Sequence, residues 1–169
     1  MPPVQLRPYP SRVIVAGGGR NLAWSHQRIA AELLGRSGGR PVHLLLHGGA
    51  RGADAAIARA GHQLGWQVQA LVADWRRHGR SAGPIRNRLL LELAISSACS
   101  LSSPGLPVTV LVVAFPGGAG TASLVQQARR LAPRSPVPIA VVEVSSSAGP
   151  STGPVVAPGP APAGAPALP

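Results

Sequence analysis

Two stretches of this chain repeat one arrangement that leaves few folds open. "VHLLLH" (residues 42–47) runs straight into "GGARGAD" and then a helical pattern, and "VTVLVVAF" (residues 108–115) runs into "PGGAGT" and another. Neither run alternates apolar with polar residues, so a strand formed from it is apolar on both faces and has to be covered on both. An unbroken apolar strand, a tight glycine turn and a helix form one half of a parallel crossover. Such units build a parallel sheet sandwiched between helices.

The rest of the chain fits that scheme. Residues 12–16, "RVIVA", read as a short strand ending in "GGGR", and residues 24–36 as a helix. After the second strand, Ala53, Ile57, Ala60 and Leu64 recur at helical spacing, and residues 67–72 read as a third strand. A polar connection over residues 73–87 leads to a helix with Ile85, Leu89 and Leu93 on one face. Irregular "SACSLSSPGLP" precedes the fourth strand. Leu124, Val125, Ala128, Leu131 and Ala132 stripe the next helix, and residues 138–144 form a fifth strand. The expected fold class is α/β: a three-layer Rossmann-like domain with a mainly parallel five-stranded sheet flanked by helices.

A chain of 169 residues has room for one ordinary domain. The expected division is a flexible segment over residues 1–11, the domain over 12–144, and a tail over 145–169 so dense in Pro, Gly, Ala and Ser, and so free of charge, that disorder is expected. The net charge is +11, from sixteen cations against five acids, and every cation is arginine. Arginine without lysine looks like a compositional bias, and the arginines form no run, so nucleic-acid binding is allowed but not indicated. Cys99 stands alone, which leaves no disulfide framework, and no cysteine–histidine spacing suggests a metal. No apolar stretch reaches the length of a signal or a membrane span. A soluble cytoplasmic protein is expected, with a homo-oligomer compatible.

If the strands are parallel, the turns after strands one, two and four all meet at one edge of the sheet, where open α/β sheets take ligands. The expected ligand-binding residues are Gly17, Gly18 and Arg20 in the first turn and Gly48, Gly49, Arg51, Gly52 and Asp54 in the second. Pro116, Gly117, Gly118, Gly120 and Thr121 join them from the fourth-strand turn, with Arg86 and Asn87 from the long connection. Glycine lets backbone amides approach an anion, and a helix start adds its positive dipole end. The plain alternative for each turn is compact strand-to-helix packing. Arg51 either holds phosphate or faces solvent. Asp54 either caps its helix or accepts from a ribose hydroxyl, and Thr121 caps its helix, donates to phosphate, or does both. Arg86 and Asn87 are expected to offer a charge and an amide to a nucleotide. Trp75 stacks on a base or, the safer default, lies on the core. His26, His43, His47 and His62 have no ligand spacing and read as structural.

"HGGARGAD" (47–54), "ADW" (73–75), "AGPIRN" (82–87) and "AFPGGAGT" (114–121), in this order and at these intervals, resemble the YspA-like, cpYpsA-related branch of the SLOG superfamily. The resemblance spans about 110 of the 169 residues. It implies a Rossmann-like fold and a nucleotide-derived ligand held by the glycine turns. The wider superfamily includes the phosphoribohydrolases often labelled lysine decarboxylases, and the DNA-processing protein DprA. The phosphoribohydrolases carry an acid three residues after the threonine of PGGxGT, where this chain has Leu124, so that residue does not carry over. "GGGRNLAW" matches the family's first turn loosely, with Arg20 as the equivalent arginine and Trp24 displaced, and residues 96–107 look like an insertion.

Three functions follow as expectations. The preferred one is binding or sensing of a nucleotide-derived, phosphate-containing small molecule, with no cofactor and no metal required. A second is a nucleotide hydrolase, with Asp54 or Glu92 as acid or base and Arg51 and Arg86 at the phosphate; no paired carboxylates support it. The third is single-stranded DNA binding of the DprA kind, which five aromatic residues in the whole chain serve poorly.

Overall fold

The computed structural model describes residues 10–147. Most of the expected tail and most of the expected N-terminal segment lie outside them. Five strands, β1 (Ser11–Gly17), β2 (Val42–His47), β3 (Val68–Ala70), β4 (Val108–Ala114) and β5 (Ile139–Glu143), form one sheet in the order β3-β2-β1-β4-β5. Every pairing is parallel. This is the α/β Rossmann-like arrangement expected from the unbroken apolar runs. β1 is central, with Val13, Ile14, Val15 and Ala16 all without exposed surface, because both of its faces are covered.

Helices α1 (His26–Ser37) and α2 (Ala53–Gln63) cover one face. Ile29, Leu33, Ile57 and Ala60 bury there against Ile14, Leu45, Leu111 and Phe115. On the opposite face lie α4 (Ala82–Leu101) and α5 (Ala119–Leu131), whose Leu90, Leu91, Ala94, Leu124 and Ala128 pack on Val13, Val15, Leu46, Val110 and Val112. Each fully buried leucine or isoleucine contributes about 1.5–3 kcal/mol relative to exposure. Odd and even residues of β1 serve different cores, as the period of a strand requires.

Local chemistry sets several ends. Ser25 accepts the Arg28 amide to start α1, and Gly38, at φ 64°, takes the left-handed conformation that stops it. Helix α1 therefore begins at His26, two residues later than expected. Asp74 accepts the Arg77 amide to start the short α3 (Trp75–His78).

The connection from β3 to β4 departs from expectation. It is mostly helical: α3, a short 3-10 turn, then α4, which continues through the supposedly irregular stretch to Leu101. The first half of the expected insertion is thus the last turn and a half of α4. The α4 stripe is also in a different phase. Ile85 and Leu89 are exposed, and Ala82, Gly83, Asn87, Leu90, Leu91, Ala94 and Ala98 are buried. The small residues in that set let α4 lie close on the sheet, so contact distance rather than side-chain bulk selects the buried face. β3 ends at Ala70, two residues short of expectation, which leaves Val72 exposed at the sheet edge.

Candidate functional site

The connections β1-α1-β2-α2-β3 run outward from β1 on one side, and β4 and β5 lie on the other. The chain therefore reverses direction beside β1, and the loops leaving β1 and β4 part there, which opens a crevice at the carboxyl ends of the strands. A cavity of about 780 Å³ occupies this position. Gly17, Gly18 and Arg20 line it from the first turn, Gly48, Gly49 and Asp54 from the second, and Pro116, Gly117, Gly118, Gly120 and Thr121 from the turn after β4. Arg86 and Asn87 line it from α4.

The three turns are fastened to one another. Gly19 donates its amide to the Pro116 carbonyl at 2.9 Å, and its own carbonyl accepts from Ala53 at 3.1 Å. A Cβ on Gly18 would stand 2.7 Å from that of Ala53 and 2.9 Å from that of Phe115. Gly52, at φ 74°, presses on the Arg20 carbonyl so closely that any side chain would collide with it. Compact packing and a ligand-facing backbone are thus properties of the same glycines.

Two expected ligand residues fall outside this wall. Arg51 is exposed at the tip of the second turn, and Gly52 is turned toward the first loop rather than the cavity. A tight turn with its positive-φ glycines points the intervening side chain away from the concave side. Glu92, a candidate acid, is also misplaced: it is exposed on α4, paired with Arg88 at 2.8 Å one helical turn away. Trp75 is 47% exposed at the cavity's rim, so packing on the core is corrected.

Arg86 and Asn87 act on the protein itself. Arg86 donates through Nη1 to the Gly48 carbonyl at 2.6 Å and through Nε to Asn87 Oδ1 at 3.0 Å. Asn87 Nδ2 donates to the Gly120 carbonyl at 3.0 Å. The first turns of α4 therefore strap the second glycine turn to the start of α5, and the Asn87 amide expected for a ligand is engaged inside the protein. Thr121 does not cap α5, whose cap position is Gly118; its hydroxyl packs against Gly117 instead.

Asp54 is buried, and its Oδ2 accepts the Ala50 amide at 3.0 Å, closing the second turn from within. That contact is neither of the two roles expected for it. Burial pushes its carboxyl above the ordinary range, while the Ala50 amide and the charges of Arg86, His47 and Arg20 pull the other way. Burial likewise holds the Arg86 guanidinium below its usual value, opposed by Asp54. His47, buried beneath the turn, accepts the Gly49 amide on Nδ1 at 3.1 Å, and its imidazole is held below its ordinary value first by burial. A positive rim with a single buried acid suits an anionic ligand that also carries a hydrogen-bond donor.

Sequence reasoning missed Val72 and Arg80, both in the cavity wall. Val72 read as strand, and Arg80 as one of many arginines in a polar connection. No group of residues able to hold a metal ion occurs among the described residues. No described helix is long and apolar enough to cross a membrane.

A family model described as YspA, cpYpsA-related SLOG family matches residues 11–78. Over these residues the chain is similar to that family. The SLOG match begins with β1 and runs through α3, so it takes in the first two glycine turns and the rim residue Trp75. Neither the curated proteins nor the solved structures give a match to this chain.

Proposed function

We propose that the chain binds a nucleotide or nucleotide-derived molecule in the cavity at the carboxyl edge of its sheet. The observation that carries this reading is the convergence of three glycine turns on one 780 Å³ cavity beside the central strand. That volume suits a small organic ligand. The similarity of residues 11–78 to the SLOG family supports a nucleotide-related role. So does the start of α5: Gly118 and Gly120 face open space, no side chain caps the helix, and the residues of its first turn line the cavity. The start of α2 differs, because its Ala53 amide is already bonded to Gly19. The anionic end of a ligand therefore belongs at α5.

Binding fits better than hydrolysis. A glycosidic cleavage of the usual kind places two carboxyl groups about the bond, and Asp54 is the one acid in the wall. Leu124, at the place of the phosphoribohydrolase acid, is buried against Gly17 and gives the cavity wall a side chain that cannot exchange a proton. Thermal unfolding in the presence of AMP, GMP, CMP, UMP and ADP-ribose tests the reading. A midpoint that rises with ligand concentration is expected, since a ligand held by the folded state alone stabilises it in proportion to the logarithm of its concentration. A midpoint indifferent to all five up to millimolar concentration overturns it. Product analysis of any stabilising ligand then separates a binder from a hydrolase.

A further inference from the structure

Opposite ends of the cavity differ in chemistry. At the β4 end stand glycines 117, 118 and 120 and the uncapped start of α5. At the β3 end stand Val72, 69% exposed, and Trp75, 47% exposed, both in the cavity wall. Exposing a tryptophan and a valine in one cavity wall costs apolar hydration, and the Arg20 guanidinium over the Trp75 ring leaves both side chains largely open. Gly49 and Gly83, also in the cavity wall, lie against these two side chains. A Cβ on Gly49 would stand 2.9 Å from Val72 Cγ2, and one on Gly83 would stand 3.4 Å from the Trp75 ring.

Resting on the nucleotide reading, we propose that the Val72–Trp75 shelf is the base subsite, so that a ligand lies with its base on Trp75 and its phosphate at the start of α5. An indole face accepts any nucleobase by stacking, and the apolar valine beside it accepts a ring edge. Arg20 completes the subsite. Its guanidinium carbon stands 5.2 Å from the Trp75 ring centre, a cation over a π-face. That separation is too small for a base to enter between the two groups. Arg20 is exposed and donates no hydrogen bond among the described residues, so it swings outward to cover the base once it stacks.

Asp54 lies between the two ends. It lines the cavity and is 4% exposed, and only Oδ2 takes a hydrogen bond. Its other oxygen is left for a donor on the middle of the ligand, where a nucleotide carries its ribose hydroxyls. Base, sugar and phosphate thus each meet a wall of matching chemistry.

The experiment compares two kinds of probe on three proteins. Affinities of the four nucleoside monophosphates and of ribose 5-phosphate, which lacks a base, are measured by calorimetry on the wild-type chain, Trp75→Ala and Trp75→Phe. Trp75 is half exposed, so neither variant is expected to unfold the chain, and circular dichroism checks this. The expected result is a loss of about tenfold or more in the affinity of a bound nucleotide with Trp75→Ala, from a stacking contribution of about 1–3 kcal/mol. Trp75→Phe recovers most of it, and ribose 5-phosphate binds all three proteins alike. Tryptophan fluorescence quenched by the nucleotide in the wild type should be spared in Trp75→Phe. If nucleotides bind and Trp75→Ala leaves them unaffected, or weakens ribose 5-phosphate equally, the subsite assignment is wrong while the nucleotide reading stands. If no probe binds the wild-type chain, the subsite assignment falls, and the nucleotide reading falls with it when ADP-ribose also leaves the thermal midpoint unchanged.

Discussion

Gly52 and Gly35 are the same residue type under opposite constraints. Gly52 has φ 74° and lies against the Arg20 carbonyl, whereas Gly35 sits in α1 with nothing within 4 Å of where its Cβ would be. A side chain at Gly52 meets both left-handed strain and overpacking. Gly52→Ala is therefore expected to cost about 2–4 kcal/mol and to part the first two turns. Gly35→Ala removes the backbone freedom of a helical glycine and should stabilise the chain by about 0.5–1 kcal/mol. Urea unfolding of the two variants checks both signs, and a neutral Gly52→Ala would mean that the turns are not held as described. Both glycines were visible in the sequence, and Gly52 stood out by its motif. Its contact with Arg20, more than thirty positions away, was not visible, because no local pattern encodes which loop a turn leans on.

At the scale of single elements, α4 separates what periodicity can read from what it cannot. Ile85, Leu89 and Leu93 made a plausible stripe, yet Leu89 is 47% exposed and Leu91 is fully buried. Leucines at 89, 90 and 91 offer three helix phases of nearly equal apolarity, and the choice falls to the small residues, Ala94 and Ala98, which let the helix approach the sheet. Leu91→Ala is expected to cost about 2–5 kcal/mol, and Leu89→Ala about 0.5 kcal/mol or less. Denaturant midpoints of this pair decide the phase; equal costs would contradict the packing. The same helix supplies Arg86 and Asn87, which a reading by motif assigned to a ligand. Their bonds to Gly48, to each other and to Gly120 show that a polar motif beside a cavity can serve as its scaffold.

For the molecule as a whole, pH reports on the buried polar set under the cavity. His47 has a lowered pKa in the folded chain, so the folded state binds its proton less readily than the unfolded state does. Its contribution to stability is complete above the ordinary value of 6.5 and is lost as pH falls below it. Asp54 has the opposite sign. Its pKa is raised above 3.8, so its contribution is complete below 3.8 and is lost as pH rises through the folded value. Loss of the His47 contribution pulls the thermal midpoint down between pH 7 and pH 5 against the opposing gain from Asp54, so His47→Asn, which keeps an acceptor for the Gly49 amide, should fall less or rise more than wild type over that range. Asp54→Asn should leave the His47 effect in place and remove the loss associated with ionising the carboxyl. A His47→Asn profile parallel to wild type would show that the imidazole titrates freely.

The fold class could be read from the amino-acid order alone. Unbroken apolar runs followed by glycine turns and helical stripes have one economical burial scheme, and burial of apolar surface is a local, additive property of the residues themselves. The meeting of three turns at one edge followed from handedness and parallel pairing, which apply to every such chain. Tertiary contact decided the rest. It set Trp75 and Val72 on an open rim, turned Arg51 outward, sent Glu92 to a distant surface, and placed His47 and Asp54 in the dark under the second turn. Each of these depends on distances between segments far apart in the chain, where packing density and desolvation act and where one-dimensional spacing carries no information.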